Sequence, residues 1–311
     1  MSAETPVGMV AEHVPVMERE VCEFLHAERA GVFLDMTFGG GGHARAILEA
    51  NVANVLWAVD RDPEAELRAL SLGKTYPDRL QFHRRNFSTV DGLPPMTYDG
   101  ALMDLGLSSL QLDDPRRGFS FRHSSRLDMR MDPQTGLSAA NFLATASREQ
   151  LIEAIRDFGE ERHWKSIVNK ILSHRGMQEM ERSDLFAELL ISCYPLRERF
   201  RRIHPATKTF QGIRIAVNRE LSELQEALPK VFQRLRSGGR LVVLSFHSLE
   251  DRIVKKFFRE KASVLRSENP GGAPVKAEAL LLTRKALRPS REELARNPRS
   301  RSAKLRALEK F

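Results

Sequence analysis

Val32-Phe-Leu-Asp-Met-Thr-Phe-Gly-Gly-Gly-Gly-His43 is the stretch whose reading decides the fold. Its first five residues form a short apolar run entered from Gly31, long enough for a buried strand and too short for a helix. Four glycines then let the backbone turn sharply and pass close to a neighbour or ligand. Residues 44–50 follow with helical spacing, so strand, glycine turn and helix open a βαβ unit. Working outward, residues 55–59 read as a second strand ending at Asp60, and Pro63 suits the first turn of a helix running to about Leu72. Residues 80–87 and 98–105 fit a third and a fourth strand. Strands alternating with helices imply a parallel sheet.

The alternation stops at about Asp113. Residues 113–132 are polar and turn-rich, and nothing up to Thr209 reads as a strand. Helices are expected instead. Ser138 caps one, Ser147 with Gln150 makes a capping box for residues 151–158, residues 161–173 form another, and Ser183 caps a last one reaching Cys193. Beyond this, Ile213, Val217, Leu221, Leu224, Leu228, Val231 and Leu235 recur at three or four residues, predicting one long helix kinked at Pro229 and ended by Ser237-Gly-Gly. Residues 241–246 predict a fifth strand. Ser248 with Asp251 forms a capping box for a helix over 249–259, residues 261–277 read as a loop, and 279–286 as a final strand. The expected fold is α/β, a doubly wound and mostly parallel sheet. One discontinuous domain takes residues 1–112 and 210–311, and an all-helical insertion takes 113–209.

Composition narrows the setting. Of 311 residues, 41% are hydrophobic, enough for a buried core, and no apolar run reaches the length of a membrane span. Residues 1–10 lack a basic, apolar leader pattern, and Cys22 and Cys193 stand in no metal or disulfide spacing, so a reducing cytoplasm is expected. The net charge of +8 is concentrated: residues 281–311 hold ten Arg or Lys against three Glu. A second basic patch comprises Arg197, Arg199, Arg201, Arg202, Lys208 and Arg214. Two such clusters favour a polyanionic partner, nucleic acid above all, over a merely solvated tail.

The glycine turn alone implies only a ligand near a helix N-terminus. Asp60, at the end of the second strand, adds a carboxylate placed to accept hydrogen bonds from both ribose hydroxyls, which points to an adenosine-containing cofactor. Gly39-x-Gly41-x-x-Ala44 also satisfies the dinucleotide pattern, so an NAD-dependent oxidoreductase competes with a methyltransferase using S-adenosylmethionine. Met103-Asp-Leu-Gly-Leu-Ser-Ser109 favours the methyltransferase, because Asp104 should project into the site at the switch point. There it either orients a target amino group or holds the methionine amino group of the cofactor. A ribosome-binding assembly factor with a vestigial fold is the non-enzymatic alternative; the two carboxylates Asp60 and Asp104 argue against it.

Ordered along nearly the whole chain are His13-Val-Pro-Val, Asp35-Met-Thr-Phe-Gly-Gly-Gly-Gly-His43, Asp60-Arg-Asp-Pro63, Met103-Asp-Leu-Gly-Leu-Ser-Ser109 and Gln111-Leu-Asp-Asp. Arg117-Gly-Phe-Ser-Phe121, Leu127-Asp-Met-Arg-Met-Asp-Pro133, Phe158-Gly-Glu-Glu-Arg162, His204-Pro-Ala-Thr, Ser245-Phe-His-Ser-Leu-Glu-Asp-Arg252 and Asn297-Pro-Arg-Ser-Arg-Ser302 complete the set. In these stretches the chain resembles the bacterial 16S ribosomal RNA cytosine-N4 methyltransferases, the MraW or RsmH family. The resemblance implies a class I, Rossmann-like methyltransferase fold. It implies S-adenosylmethionine as cofactor, held at Gly41, Gly42, His43, Asp60, Phe87, Asp104 and Gln111. It implies direct methyl transfer to the decoding-centre cytidine of 16S rRNA in the small subunit, without metal or covalent intermediate. Asp104 is the catalytic candidate, and Ser108, Asp128, Arg130 and His247 are substrate-side candidates. His247 is read as positional rather than as a general base, since a methylated amino group sheds its proton readily to water.

Overall fold

The computed structural model describes residues 15–94, 96–200, 204–263 and 276–311. Among them seven strands form one sheet: β1 (Val32–Asp35), β2 (Val55–Asp60), β3 (Leu80–Arg84), β4 (Tyr98–Asp104), β5 (Leu235–Ser245), β6 (Ala279–Leu281) and β7 (Lys304–Lys310). Their order is β3-β2-β1-β4-β5-β7-β6. The first five are mutually parallel and β7 runs antiparallel to both β5 and β6. This is the doubly wound class I arrangement expected above. The direction of winding reverses between β1 and β4, so the crevice at their carboxyl ends is where a ligand belongs.

The helices are α1 (Glu18–Leu25), α2 (Gly42–Ala50), α3 (Pro63–Thr75), α4 (Ser109–Asp113), α5 (Ala139–Thr145), α6 (Arg148–Ile152), α7 (Trp164–Ser173), α8 (Ser183–Ile191), α9 (Leu196–Arg199), α10 (Ala206–Asn218), α11 (Glu220–Gln233), α12 (Ser248–Ala262) and α13 (Arg291–Arg296). Side chains alternate faces along each strand, so both faces of the sheet need cover. On one, Val21, Leu25, Ile47, Leu48 and Leu72 from α1, α2 and α3 pack on Phe33, Leu56, Leu102 and Leu244. On the other, Leu224, Leu228, Val231, Val254 and Phe258 from α11 and α12 pack on Leu34, Val59, Met103 and Val243. A third core lies among the helices beyond β4, where Leu127, Leu143, Leu151, Ile167, Phe186, Leu190, Phe210 and Ile213 gather. No helix among the described residues is long and apolar enough to cross a membrane.

Several local expectations are met by the chemistry that suggested them. The Asp62 side chain caps α3 ahead of Pro63, Ser138 caps α5, and the Ser147–Gln150 box has both of its bonds. After α6 the chain widens into a π-helical turn over Glu153–Phe158. Gly212 on α10 packs against that turn: a Cβ there would lie 2.0 Å from the Ala154 carbonyl oxygen and 2.8 Å from the Gly159 nitrogen. Gly212→Ala is therefore expected to destabilise the protein by more than about 2 kcal/mol, because backbone rather than a flexible side chain must yield. Urea denaturation of the variant checks this, and a loss below about 0.5 kcal/mol would contradict the close packing.

Other expectations are corrected. β3 stops at Arg84, and Asn86 caps a 3-10 turn over Phe87–Gly92 instead. The helix expected over 161–173 begins at Trp164. Ser183 is the first residue of α8 rather than its cap; its hydroxyl bonds to the His123 carbonyl, 3.0 Å away, and to Ser125 Oγ, 2.9 Å away. The long helix breaks at Arg219, in the left-handed region at φ 52°, and not at Pro229, which sits inside α11. Asn218 anchors that break, donating from Nδ2 to the Met129 carbonyl and accepting the Met131 N–H at Oδ1, both at 2.7 Å. Ser237-Gly-Gly lies within β5 as a bulge, with Gly238 at φ 78° and the register against β4 shifting there. α12 is capped by His247 with Glu250, leaving Asp251 to pair with Arg306 and Lys304 on β7, at 2.7 and 3.1 Å. The last expected strand shortens to β6. The basic C-terminal segment is no free tail: it supplies β7, and Leu305, Ala307 and Leu308 are buried in the sheet. Of the loop expected over 261–277, residues 264–275 fall outside the described residues, as do His13, Arg201 and Arg202.

Candidate active site

A cavity of about 380 Å³ opens at the carboxyl ends of β1, β2, β4 and β5. Gly39, Gly40, Gly42 and His43 form one wall, with Asp60, Phe87, Asp104, Ser108 and Gln111 around it. The glycine turn needs its composition. Gly39 and Gly41 have φ of 52° and 79°, and a Cβ on Gly41 would stand 2.8 Å from the Phe38 ring. A Cβ on Gly42 would press at 3.1 Å on Pro15. Gly41 itself does not line the cavity, while Gly40 does.

Thr37 joins β1 to β4. Its hydroxyl accepts the Asp104 N–H at 2.6 Å, while its own N–H donates to Asp35 Oδ1 at 2.9 Å. Asp60 accepts the N–H groups of Gly39 (2.7 Å) and Asp62 (2.9 Å), one on each carboxylate oxygen. The carboxylate thus fixes the glycine turn and keeps its remaining lone pairs for a ligand. Burial pushes its pKa up, against those two backbone donors.

The His43 imidazole is buried beside Asp104, with Nε2 3.4 Å from Oδ2. The contact is electrostatic, because neither ring nitrogen is aligned for a hydrogen bond. Burial alone would lower the His43 pKa, but Asp104, Asp35 and Glu18 outweigh it and raise it. Asp104 Oδ1 and Asp35 Oδ2 are buried without partners. Burial, opposed by the Thr37 N–H and by His43, pushes the Asp35 carboxyl up to about 7.

A proton held on Asp35 in the folded chain is lost from the unfolded chain near the ordinary carboxyl value of 3.8. This group's contribution is therefore fully present below pH 4 and is lost as pH rises to 7. In ligand-free protein, Asp35→Asn is expected to gain about 2–4 kcal/mol relative to wild type between pH 5 and pH 8. Denaturant titrations at the two pH values measure it; parallel curves for both proteins would contradict it.

Gln111 is committed on both ends. Its Oε1 accepts the Ser108 N–H in a capping box at the start of α4, and its Nε2 donates to Asp62 Oδ2 at 2.7 Å. Arg117 donates to the same Asp62 oxygen at 2.8 Å and to the carbonyls of Arg130 and Met131. This Asp62–Gln111–Arg117 network, invisible in the sequence, ties α3 to the loop carrying Met131. Ser108 lines the cavity, with Oγ accepting the Gln111 N–H at 3.2 Å. Phe87 lines it too, under the Arg61 guanidinium at 5.8 Å.

The remaining substrate-side candidates sit elsewhere. Asp128 and Arg130 pair with each other through two bonds of 2.9 and 2.7 Å, and neither lines the cavity. His247 caps α12, with Nε2 3.1 Å from Glu250 Oε1; Phe246 and Glu250, on either side of it, reach the cavity. Glu220, His247 and Glu250 bring three potential metal-ligand atoms within 4.8 Å of one another. The charge of that group is met by Arg214, bound to both oxygens of Glu220. Sequence reading missed Arg214 as a cavity residue, counting it in a surface patch.

The donor set fits an adenosine-type methyl donor. It combines a glycine wall at a helix N-terminus, a carboxylate at the end of β2, an apolar Phe87 and buried acceptor oxygens without partners beyond β1 and β4. Comparison with known proteins agrees. Residues 10–311 match the model of the MraW methylase family. The ribosomal RNA small subunit methyltransferase H of Thermomicrobium roseum is 46% identical over 321 aligned positions, covering 100% of this chain and 97% of its own. The proteins of that name from Thiobacillus denitrificans and Granulibacter bethesdensis are each 44% identical. They cover 97% and 96% of this chain, and 98% and 91% of their own lengths.

Proposed function

The chain belongs to the MraW methylase family and is an S-adenosylmethionine-dependent methyltransferase, and from that premise we propose that it methylates the exocyclic N4 of a cytidine in 16S ribosomal RNA. The observation that carries the reading is Asp104: it ends β4, lines the same cavity as the glycine turn and Asp60, and keeps Oδ1 free of partners. S-adenosylmethionine, when bound, supplies an electrophilic methyl group on a sulfonium sulfur. Gly42, His43, Asp60, Phe87 and Gln111 surround the cofactor, and Gly41 shapes the turn beneath it. Asp104 accepts a hydrogen bond from the target NH₂ and aims the nitrogen lone pair at the methyl. Positioning of this kind supplies up to about 7–11 kcal/mol, so no covalent intermediate is needed. The base must leave its stack to present N4 to the methyl donor.

The helices between α5 and α10 form the surface that grips the RNA. Phe200, 90% exposed beside exposed Arg197, offers an aromatic face next to positive charge. Such a partner places the enzyme in the cytoplasm. Nucleoside mass spectrometry of ribosomal RNA from cells lacking the protein tests the reading. N4-methylcytidine is expected to disappear from 16S RNA and return on complementation; its persistence in the deletion strain would refute the assignment.

A further inference from the structure

Arg214 lies on α10 with its side chain 16% exposed and lines the cavity. Its Nε donates to Glu220 Oε1 and its Nη2 to Glu220 Oε2, both at 2.8 Å. Two parallel bonds of this kind fix the guanidinium plane. Nη1 has no hydrogen-bond partner among the described residues and keeps two N–H groups. The supports are themselves immobilised. Glu220 begins α11, where the helix dipole favours a carboxylate. The α10–α11 junction is held by Asn218 and by the Arg61 pair with Glu223. The fork is therefore preset before any ligand arrives.

What such a fork can bind follows from its surroundings. Glu220 neutralises the guanidinium, and Glu250 and Asp104 line the same cavity. A phosphate or carboxylate would meet that acidic wall, whereas a neutral acceptor would not. Phe246 and Glu250 follow β5, Glu250 acts electrostatically on Arg214, and Met131 bonds to Asn218 at the end of α10, while the glycine turn and Asp60 stand at the ends of β1 and β2. We propose that Arg214, clamped by Glu220, donates from Nη1 to the N3 and O2 acceptor edge of the target cytosine and so sets the orientation of the base. Uracil, with an N3–H donor, would face the guanidinium donor to donor and leave it unpartnered. This assignment rests on the cytosine-N4 reading above.

The test compares small ribosomal subunits reconstituted with cytidine or 3-deazacytidine at the target position, the analogue having C–H in place of N3. Wild type is expected to lose about tenfold in kcat/KM on the analogue, the discrimination typical of one good base-edge contact. Arg214→Met is expected to lose about 10- to 100-fold on cytidine and to show no further loss on the analogue. Because that variant leaves Glu220 buried and unpaired, the double variant Arg214→Met/Glu220→Met is measured beside it, with both charges removed. Both should bind S-adenosylmethionine by calorimetry within about threefold of wild type. Retained sensitivity to the analogue in both variants would overturn the assignment. So would a fall in cofactor affinity that matches the fall in kcat/KM, since Arg214 would then serve the cofactor. Absence of methyl on N4 with wild type and cytidine would instead overturn the underlying reading, and this one with it.

Discussion

Asp104→Ala is expected to lower kcat by about 10²- to 10³-fold while leaving the Kd for S-adenosylmethionine within about threefold of wild type. The asymmetry separates the two roles open to this carboxylate. Asp104 Oδ2 faces His43 at 3.4 Å, and Oδ1 is buried without a partner at the end of β4. If Oδ1 holds the target amine, its loss removes an interaction made in the reacting complex and shows in kcat. If it holds the methionine ammonium, its loss shows in cofactor affinity. Calorimetry beside single-turnover kinetics distinguishes them; a Kd that rises in step with the loss of kcat would reassign Asp104 to the cofactor. Asp104→Asn keeps the shape and one acceptor, and should retain more activity than the alanine variant.

Asp60→Ala is expected to do the converse, weakening cofactor binding by roughly 30- to 100-fold. A carboxylate hydrogen bond contributes about 1.5–3 kcal/mol when its partner is desolvated. The same substitution frees the Gly39 N–H, now held at 2.7 Å, so the glycine wall loosens as its ligand contact is lost. The kcat at saturating cofactor should fall less than tenfold. A change in Kd below threefold would place the ribose away from Asp60.

The parts of this site legible in the sequence are those whose chemistry is local. The glycine turn, Asp60 before Asp62-Pro63, and Asp104 closing an apolar run each announce themselves within about ten residues, and each borders the cavity. The caps at Ser138 and Ser147 are legible for the same reason. What escaped depends on pairing across the chain. Arg214 looks like one more basic residue until Glu220 is seen to turn it inward. Arg117 and Gln111 meet on Asp62 from 55 and 49 residues away.

β7 was hidden by its charge. Lys304 and Arg306 weigh as a basic tail in a composition count, yet Asp251 neutralises both while Leu305 and Ala307 face the core. The alternation at Ala303, Leu305 and Ala307 was the available signal. The break at Arg219 was hidden for the opposite reason: Val217 and Leu221 keep their spacing across it, so the stripe reads straight through a residue held at φ 52° by contacts with the loop around Met131. Asp128 and Arg130, a charged motif conspicuous in the sequence, pair with each other in the fold.

The most direct test of cytosine-N4 methylation uses purified protein, S-adenosylmethionine carrying a deuterated methyl group, and small ribosomal subunits from cells lacking this protein. After reaction, the RNA is digested to nucleosides and fragments and the label located by mass spectrometry. The expected result is one deuterated methyl on N4 of a single cytidine in 16S RNA, abolished by Asp104→Ala. Label on a ring carbon, on a ribose oxygen or on a nucleoside other than cytidine would contradict it.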